Sequence, residues 1–339
     1  MANNELLKRP GAEVAAAAAA VAGVAAAGGK LALDRRSKRV DEQRAYRLRS
    51  AEAAPDGIRR IARGQIANAR DQLEGASGRR LGPAVHEARK SLKRLRAALR
   101  LSRGAIGEET YRRENTVFRE AGRRLSGARD ADVLLETLET VEAVAGHELR
   151  SSASAGLRSQ LESERESALE SLRDADATGT VLGYLERAHA RVATWAFDTD
   201  GFDSLEPGLR RIYRRGRNAM RAVEAEQSTE NLHEWRKRVK DLWHATQIVR
   251  PASPKRMKKL SRRLHDLSDL LGDDHDLAVL RTYARSHPQC FEDQVDAAAL
   301  VAVIDRRREY LQGEALKLGG SLYKESPKGF TRSCSASSP

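Results

Sequence analysis

A nine-residue pattern occurs twice in the chain, and its spacing admits only a helix. Val85-His86-Glu87-Ala88-Arg89-Lys90-Ser91-Leu92-Lys93 is echoed 147 residues later by Leu232-His233-Glu234-Trp235-Arg236-Lys237-Arg238-Val239-Lys240. Both copies read apolar-His-Glu-x-Arg-Lys-x-apolar-Lys. At about 100° per residue, His86, Arg89, Lys90, Lys93, Arg96 and Arg100 share one sector of a helix surface. Val85, Ala88, Leu92, Leu95 and Leu99 fill the sector beside it, which has to face a core. Glu87, Ser91, Arg94 and Ala98 are left for water. The second copy repeats the plan. His233, Arg236, Lys237, Lys240 and His244 form one stripe, Leu232, Trp235, Val239 and Leu242 form the seam, and Glu234, Arg238 and Asp241 face outward.

The flanks match in the same order. Ile58-Arg59-Arg60-Ile61 upstream of the first copy pairs with Leu209-Arg210-Arg211-Ile212 upstream of the second. Downstream, Gly127-Ala128-Arg129-Asp130-Ala131-Asp132-Val133 pairs with Gly272-Asp273-Asp274-His275-Asp276-Leu277-Ala278-Val279, and Asp130 corresponds to Asp276 after a one-residue slip. Three matched elements in order point to an ancestral duplication. The chain is therefore expected to be all-α, two pseudo-symmetric, internally duplicated bundles of about four helices each. Ala, Leu, Arg and Glu dominate, and no stretch beyond the first fifty residues alternates with β-branched enrichment. Breaks are expected at 75–83, 104–107, 126–129, 151–156, 198–208, 227–230, 251–254, 272–274 and 287–289. The domain should cover 55–325, in halves of about 55–200 and 201–325. Residues 1–54 read as a mobile Ala- and Arg-rich extension, and the Ser-, Gly- and Pro-containing tail 326–339 as disordered. The Ala/Gly run from Ala12 to Gly29 contains Glu13 and lacks Leu and Phe, which argues against a membrane span.

Charge says what the stripes are for. The 339 residues carry a net charge of +13, which implies an anionic partner. The positive charge collects around 59–129 and 208–263, whereas 136–176 is acidic. Like charges at i,i+3 and i,i+4 repel by a few tenths of a kcal/mol per pair. A helix tuned for stability alone would intersperse acids, so a stripe of cations beside each apolar seam calls for something negative to lie on it. Further basic rows are Arg59 and Arg63, matched by Arg210 and Arg214 with Arg217 one turn on, and Lys255, Lys258, Lys259, Arg262 and Arg263. Arg112, Arg113, Arg119 and Arg123 occupy a corresponding helix in the first half.

The two His-Glu-x-Arg-Lys-x-x-Lys helices and the turns that follow them resemble the CHAD domain, the conserved histidine α-helical domain, over roughly residues 55–325. The resemblance implies two pseudo-symmetric four-helix bundles around a basic surface or pore that binds inorganic polyphosphate, and association with polyphosphate granules in bacterial cells. Carried over to this chain, it implies binding by His86, Arg89, Lys90, Lys93, His233, Arg236, Lys237 and Lys240. The chain departs from the pattern with Gly64 opposite Arg215. Arg96, Arg59, Arg63, Arg210, Arg214, Arg217, Lys259 and Arg263 extend the candidate polyphosphate-binding set.

A polyphosphate site needs Arg and Lys in rows, His to donate to oxyanions, and no stacking platform. The alternative, a single-stranded nucleic-acid binder, would use aromatic stacking, but only 4% of residues are aromatic and Trp195, Trp235 and Trp243 fit core positions. A lesser alternative is a metal-dependent phosphohydrolase built on His265, Asp266, Asp273, Asp274, His275 and Asp276. In the first half Arg119 and Arg129 stand where His265 and His275 would be, and the surrounding positive charge opposes a cation. Asp130 and Asp276 are better read as helix caps or as carboxylates that orient basic neighbours. No enzymatic activity, metal or cofactor is expected, and nothing in the pattern specifies an oligomeric state. Cys290 and Cys334 form no disulfide framework, which suits the cytoplasm.

Overall fold

The computed structural model describes residues 45–50, 52–150, 152–174 and 176–335. Among them are eleven α-helices and no strand. They run α1 Ala54–Leu73, α2 Leu81–Ser102, α3 Glu108–Arg124, α4 Gly127–Ala145, α5 Ala155–Asp174, α6 Ala177–Val192, α7 Glu206–Ala225, α8 Thr229–Ile248, α9 Pro254–Ser286, α10 Gln294–Leu322 and α11 Pro327–Ser335. Their starts follow local chemistry. Pro opens α1, α7 and α9, where its missing N–H costs nothing. Ser228 caps α8 by accepting from the Asn231 N–H, and Asp293 caps α10 by accepting from the Asp296 N–H. None of the described helices is long and apolar enough to cross a membrane. The Ala-rich run 12–29 lies outside the described residues.

Two apolar cores form, and neither follows the sequence halves. The larger joins Ile58, Leu92, Phe118 and Val181 from before residue 205 with Leu209, Trp235, Val239 and Leu264 from after it. The smaller joins Leu138 and Leu157 of α4 and α5 with Leu277, Leu280 and Ile304 of α9 and α10. The 33-residue α9 belongs to both. Each half thus covers its apolar seam with the other. Trp195 and Trp235 are fully buried, as their place in the apolar pattern suggested, while Trp243 packs at the margin.

Three sequence expectations need correction. The end of the N-terminal extension is not mobile. Tyr46 and Leu48 are buried, the Tyr46 hydroxyl donates to Arg94 O at 2.8 Å, and Leu48 N donates to Ile248 O at 3.0 Å. The stretch is too short to show a period, so its pattern gave no signal. Nor is there a break at 272–274. Helix α9 runs straight through, because Asp274 is buried and accepts from Arg308 at 3.0 Å and Gln312 at 2.7 Å across to α10.

The third correction concerns the tail. Residues 327–335 form α11, whose Phe330 stacks on Tyr213 with centroids 4.0 Å apart and planes at 9°. Cys334, one turn on, is also buried, and Thr331 donates to Glu206 at 3.0 Å. Composition misled here: Pro327 starts the helix, and Phe330 with Cys334 gives it an apolar edge at i,i+4. Residues 336–339 lie outside the described residues. Phe330→Ala is expected to lower stability by about 3 kcal/mol, the low end for removing a buried Phe, since α11 is peripheral. A chemical-denaturation midpoint unchanged from wild type would show that α11 does not dock.

Candidate functional site

Helices α2 and α8 bring the two motif copies to a single cleft. It is lined by His86, Arg89, Lys90 and Lys93 of α2, Asp130, Val133 and Leu134 of α4, Arg236 and Lys240 of α8, and His275, Asp276 and Val279 of α9. The cleft encloses roughly 560 Å³ and opens to solvent. Five Arg and Lys side chains face two Asp carboxylates there, over an apolar floor.

The paired contacts repeat in the two halves. Arg89 lies 3.9 Å from Asp130, and Arg236 lies 3.8 Å from Asp276. Lys90 meets Glu87 at 2.8 Å, and Lys237 meets Glu234 at 2.7 Å. The two carboxylates therefore orient basic neighbours. A capping role is wrong for Asp276, which sits inside α9. The motif Glu was read as an ordinary solvent-facing residue. It is a partner that steadies the motif Lys, a contact an i,i+3 spacing could have flagged.

The motif arginines answer different backbones. Chain breaks between α3 and α4 leave carbonyls exposed, and Arg89 donates to Leu125 O at 2.9 Å and Ser126 O at 2.8 Å. In the second half the corresponding helix is continuous, and the Arg236 guanidinium passes beside Gly272, about 3.6 Å from where a Cβ would stand. Gly272 therefore lies within a helix rather than a turn, in ordinary van der Waals range of an arginine. Arg236 Nε is buried and makes no hydrogen bond among the described residues.

Crowding of positive charge shows in the protonation equilibria. Burial, with Arg236 and Lys93 next to it, pushes Lys240 down to about 8. His275 is pushed down to about 4 by burial, then by Arg236, His233, Lys240 and Arg308. His233 moves down for the same kinds of reason, burial first, then Lys237 and Arg236. The rings of His233 and His275 lie 4.2 Å apart, with Nδ1 to Nδ1 at 3.1 Å, so one nitrogen donates and the other accepts. His275, named above only among the metal-site alternatives and not in the polyphosphate-binding set, is the histidine of that pair that lines the cleft. His233 stands behind it.

The other candidates are not in the cleft. Arg96 turns toward α3 and donates to Asn115 at 3.1 Å, with burial lowering it to about 10. Arg59 donates to Trp195 O at 2.7 Å and pairs with Asp56, Arg217 donates to Tyr323 O at 3.2 Å, and Arg210 reaches Glu206 and Thr331 of α11. These arginines tie down backbone ends and the C-terminal helix. Arg63 and Arg214 are exposed on α1 and α7. Lys259 and Arg263 line a separate groove with Arg256, against Phe330, and Arg263 bonds Ser321. His244 packs against Tyr46 and Trp243 instead of joining the stripe. Among the described residues no group of three or more His, Cys, Asp or Glu side chains is placed to hold a metal ion.

Comparison with known proteins gives a consistent frame. The CHAD domain family matches residues 60–285. Among solved structures, PptA from Streptomyces chartreusis superposes with a TM-score of 0.61 at 15% identity, covering 81% of this chain and 100% of that one. At that identity the likeness concerns the fold. The CHAD domain from the plant Ricinus communis gives a TM-score of 0.46 at 19% identity, covering 87% of this chain and 96% of that one. No curated protein matches the chain.

Proposed function

The chain belongs to the CHAD domain family, and from that premise we propose that its cleft binds inorganic polyphosphate, by binding alone and without catalysis. One observation carries the reading: Arg89 and Lys93 of one motif copy and Arg236 and Lys240 of the other face the same open space. A linear phosphate polymer offers oxygens at every repeat, so a row of short-range donors on both walls fits it without regard to sequence. Arginine forks engage two oxygens of a phosphoryl group, and lysines act as point charges that tolerate shifts of the chain. The carboxylates Asp130 and Asp276 orient the arginines while leaving the site cationic.

Nucleic acid is the poorer fit. No Trp, Tyr or Phe lines the cleft, and base stacking, where present, contributes about 1–3 kcal/mol per base. Long-chain polyphosphate is therefore expected to displace single-stranded DNA of equal total charge from the full chain. A fluorescence competition titration measures it, and equal or tighter binding of the DNA would overturn the reading. We propose recruitment to polyphosphate granules as the cellular consequence, because a granule surface offers this cleft a dense array of its ligand.

A further inference from the structure

We propose that five arginines at the far end of α2 form a second anion site, separate from the cleft, which takes a compact phosphoryl anion of phosphate to pyrophosphate size. Arg100 and Arg103 at the end of α2, Arg211 and Arg215 of α7 and Arg238 of α8 surround a recess completed by Tyr111, Ile212 and Asp241. The recess is far smaller than the cleft, with room inside for little more than a water molecule, so a phosphoryl group or two would be gripped at its mouth, where Arg215 is exposed, rather than a length of polymer.

The guanidinium groups are held in place yet under-neutralised. Asp241 pairs with Arg100 at 3.1 Å and with Arg238 at 3.0 Å. Glu108 grips Arg103 at 2.6 Å from the rim while also pairing with Arg112 at 2.7 Å, and Arg103 lies over the Tyr111 ring at 4.6 Å. Glu234 reaches Arg238 but also serves Lys237. Arg211 donates to Arg100 O at 2.6 Å. Arg215, exposed at the mouth, has no hydrogen bond or short ion pair among the described residues, and Asp241 and Glu234 act on it only at longer range. Burial and neighbouring cations move both Arg211 and Arg215 below the ordinary arginine value.

Arginines that serve only the fold look different in this same molecule. Arg150 has Asp293 and Asp296, Arg158 has Glu139 and Glu142, and Arg308 has the buried Asp274. In those clusters the carboxylates equal or outnumber the guanidinium groups. At the recess five guanidinium groups share three carboxylates, two of which are also committed elsewhere. Each guanidinium has five donors in a fixed fork, so one bond to a carboxylate or carbonyl leaves donors for an oxyanion. The site also exists once, despite the repeat, because Gly64 stands where the first half would carry the counterpart of Arg215, with nothing within 4 Å of its Cβ position.

The test is calorimetry of the full chain with pyrophosphate as the probe, at low salt. Wild type should show a pyrophosphate event that survives Lys93→Ala/Lys240→Ala and weakens at least tenfold in Arg215→Ala and further in Arg211→Ala/Arg215→Ala. Arg215→Lys should recover only part of it, since lysine cannot engage two oxygens at once. Arg215 is exposed, so the single variant keeps its fold, which its melting temperature checks. If pyrophosphate still binds protein saturated with long-chain polyphosphate, the site serves a free small anion; if it does not, the site holds a chain end. Unchanged pyrophosphate affinity and stoichiometry in Arg215→Ala and in the double variant would overturn the site, whatever the cleft binds.

Discussion

Replacing Lys93 and Lys240 together with alanine is expected to weaken long-chain polyphosphate binding roughly 30-fold, and adding Arg89→Ala and Arg236→Ala to bring the loss to the order of 1000-fold. The estimate takes about 1 kcal/mol for each partly exposed charge contact, with about 1.4 kcal/mol per factor of ten. Because both motif copies face one cleft, losses from the two halves should accumulate on a single binding event rather than abolish one of two independent sites. Salt gives a second readout. Five cations engaging a flexible polyanion imply a log–log slope of about −3.5, and the quadruple variant should fall to about −0.7. The lysine pair is the cleaner variant. Arg89 also closes the α3–α4 break through Leu125 O and Ser126 O, so its removal costs about 1–3 kcal/mol of stability by orphaning those carbonyls. Melting curves separate that cost from lost binding. Wild-type affinity in the quadruple variant would remove the cleft from consideration.

The helical class, most chain breaks and the two cationic stripes beside their apolar seams were legible in the sequence, for one reason. Helix periodicity places cations beside an apolar seam, whereas the shared core that brings both stripes to one cleft is a tertiary arrangement. What periodicity cannot supply is the neighbour that covers a face. Arg96 sits in the same angular sector as Lys93 but meets Asn115 of α3. Arg59, Arg210 and Arg217 look like a basic row and instead reach carbonyls and side chains at helix ends. Long arginine side chains find such acceptors readily, so a row of arginines is weaker evidence of a ligand than a row of lysines. Gly272-Asp273-Asp274 reads as a turn by composition, yet it is helix because the buried Asp274 has a partner in Arg308. His275 stays outside the polyphosphate-binding set for a related cause: its counterpart in the first half is Arg129, so the repeat that exposed the motif also hid it.

Polyphosphate affinity is expected to change with pH in two separate limbs, and the residues of the cleft assign each. On the alkaline side the group is Lys240, held down to about 8 by burial and by Arg236 and Lys93. A bound polyanion favours the ammonium form and raises that value, so above about pH 8 binding takes up a proton and affinity falls by up to about tenfold per pH unit. Lys240→Arg, always charged, should flatten this limb while preserving binding below it. On the acid side the group is His275, neutral in the free protein with a value pushed down to about 4. Arg236, Lys240, His233 and Arg308 oppose its protonation, and a polyanion spread over Arg236 and Lys240 cancels much of that opposition. Its value should rise in the complex, so affinity should strengthen as pH drops below the raised value. His233 shares the contact at 3.1 Å, where a second proton would set two donors against each other. The pair is thus expected to gain one proton rather than two. Calorimetry in buffers of different ionisation enthalpy counts that proton directly. His275→Ala should reduce uptake near pH 6 and leave the alkaline limb intact. If His275→Ala takes up as many protons as wild type, the acid limb belongs to another group.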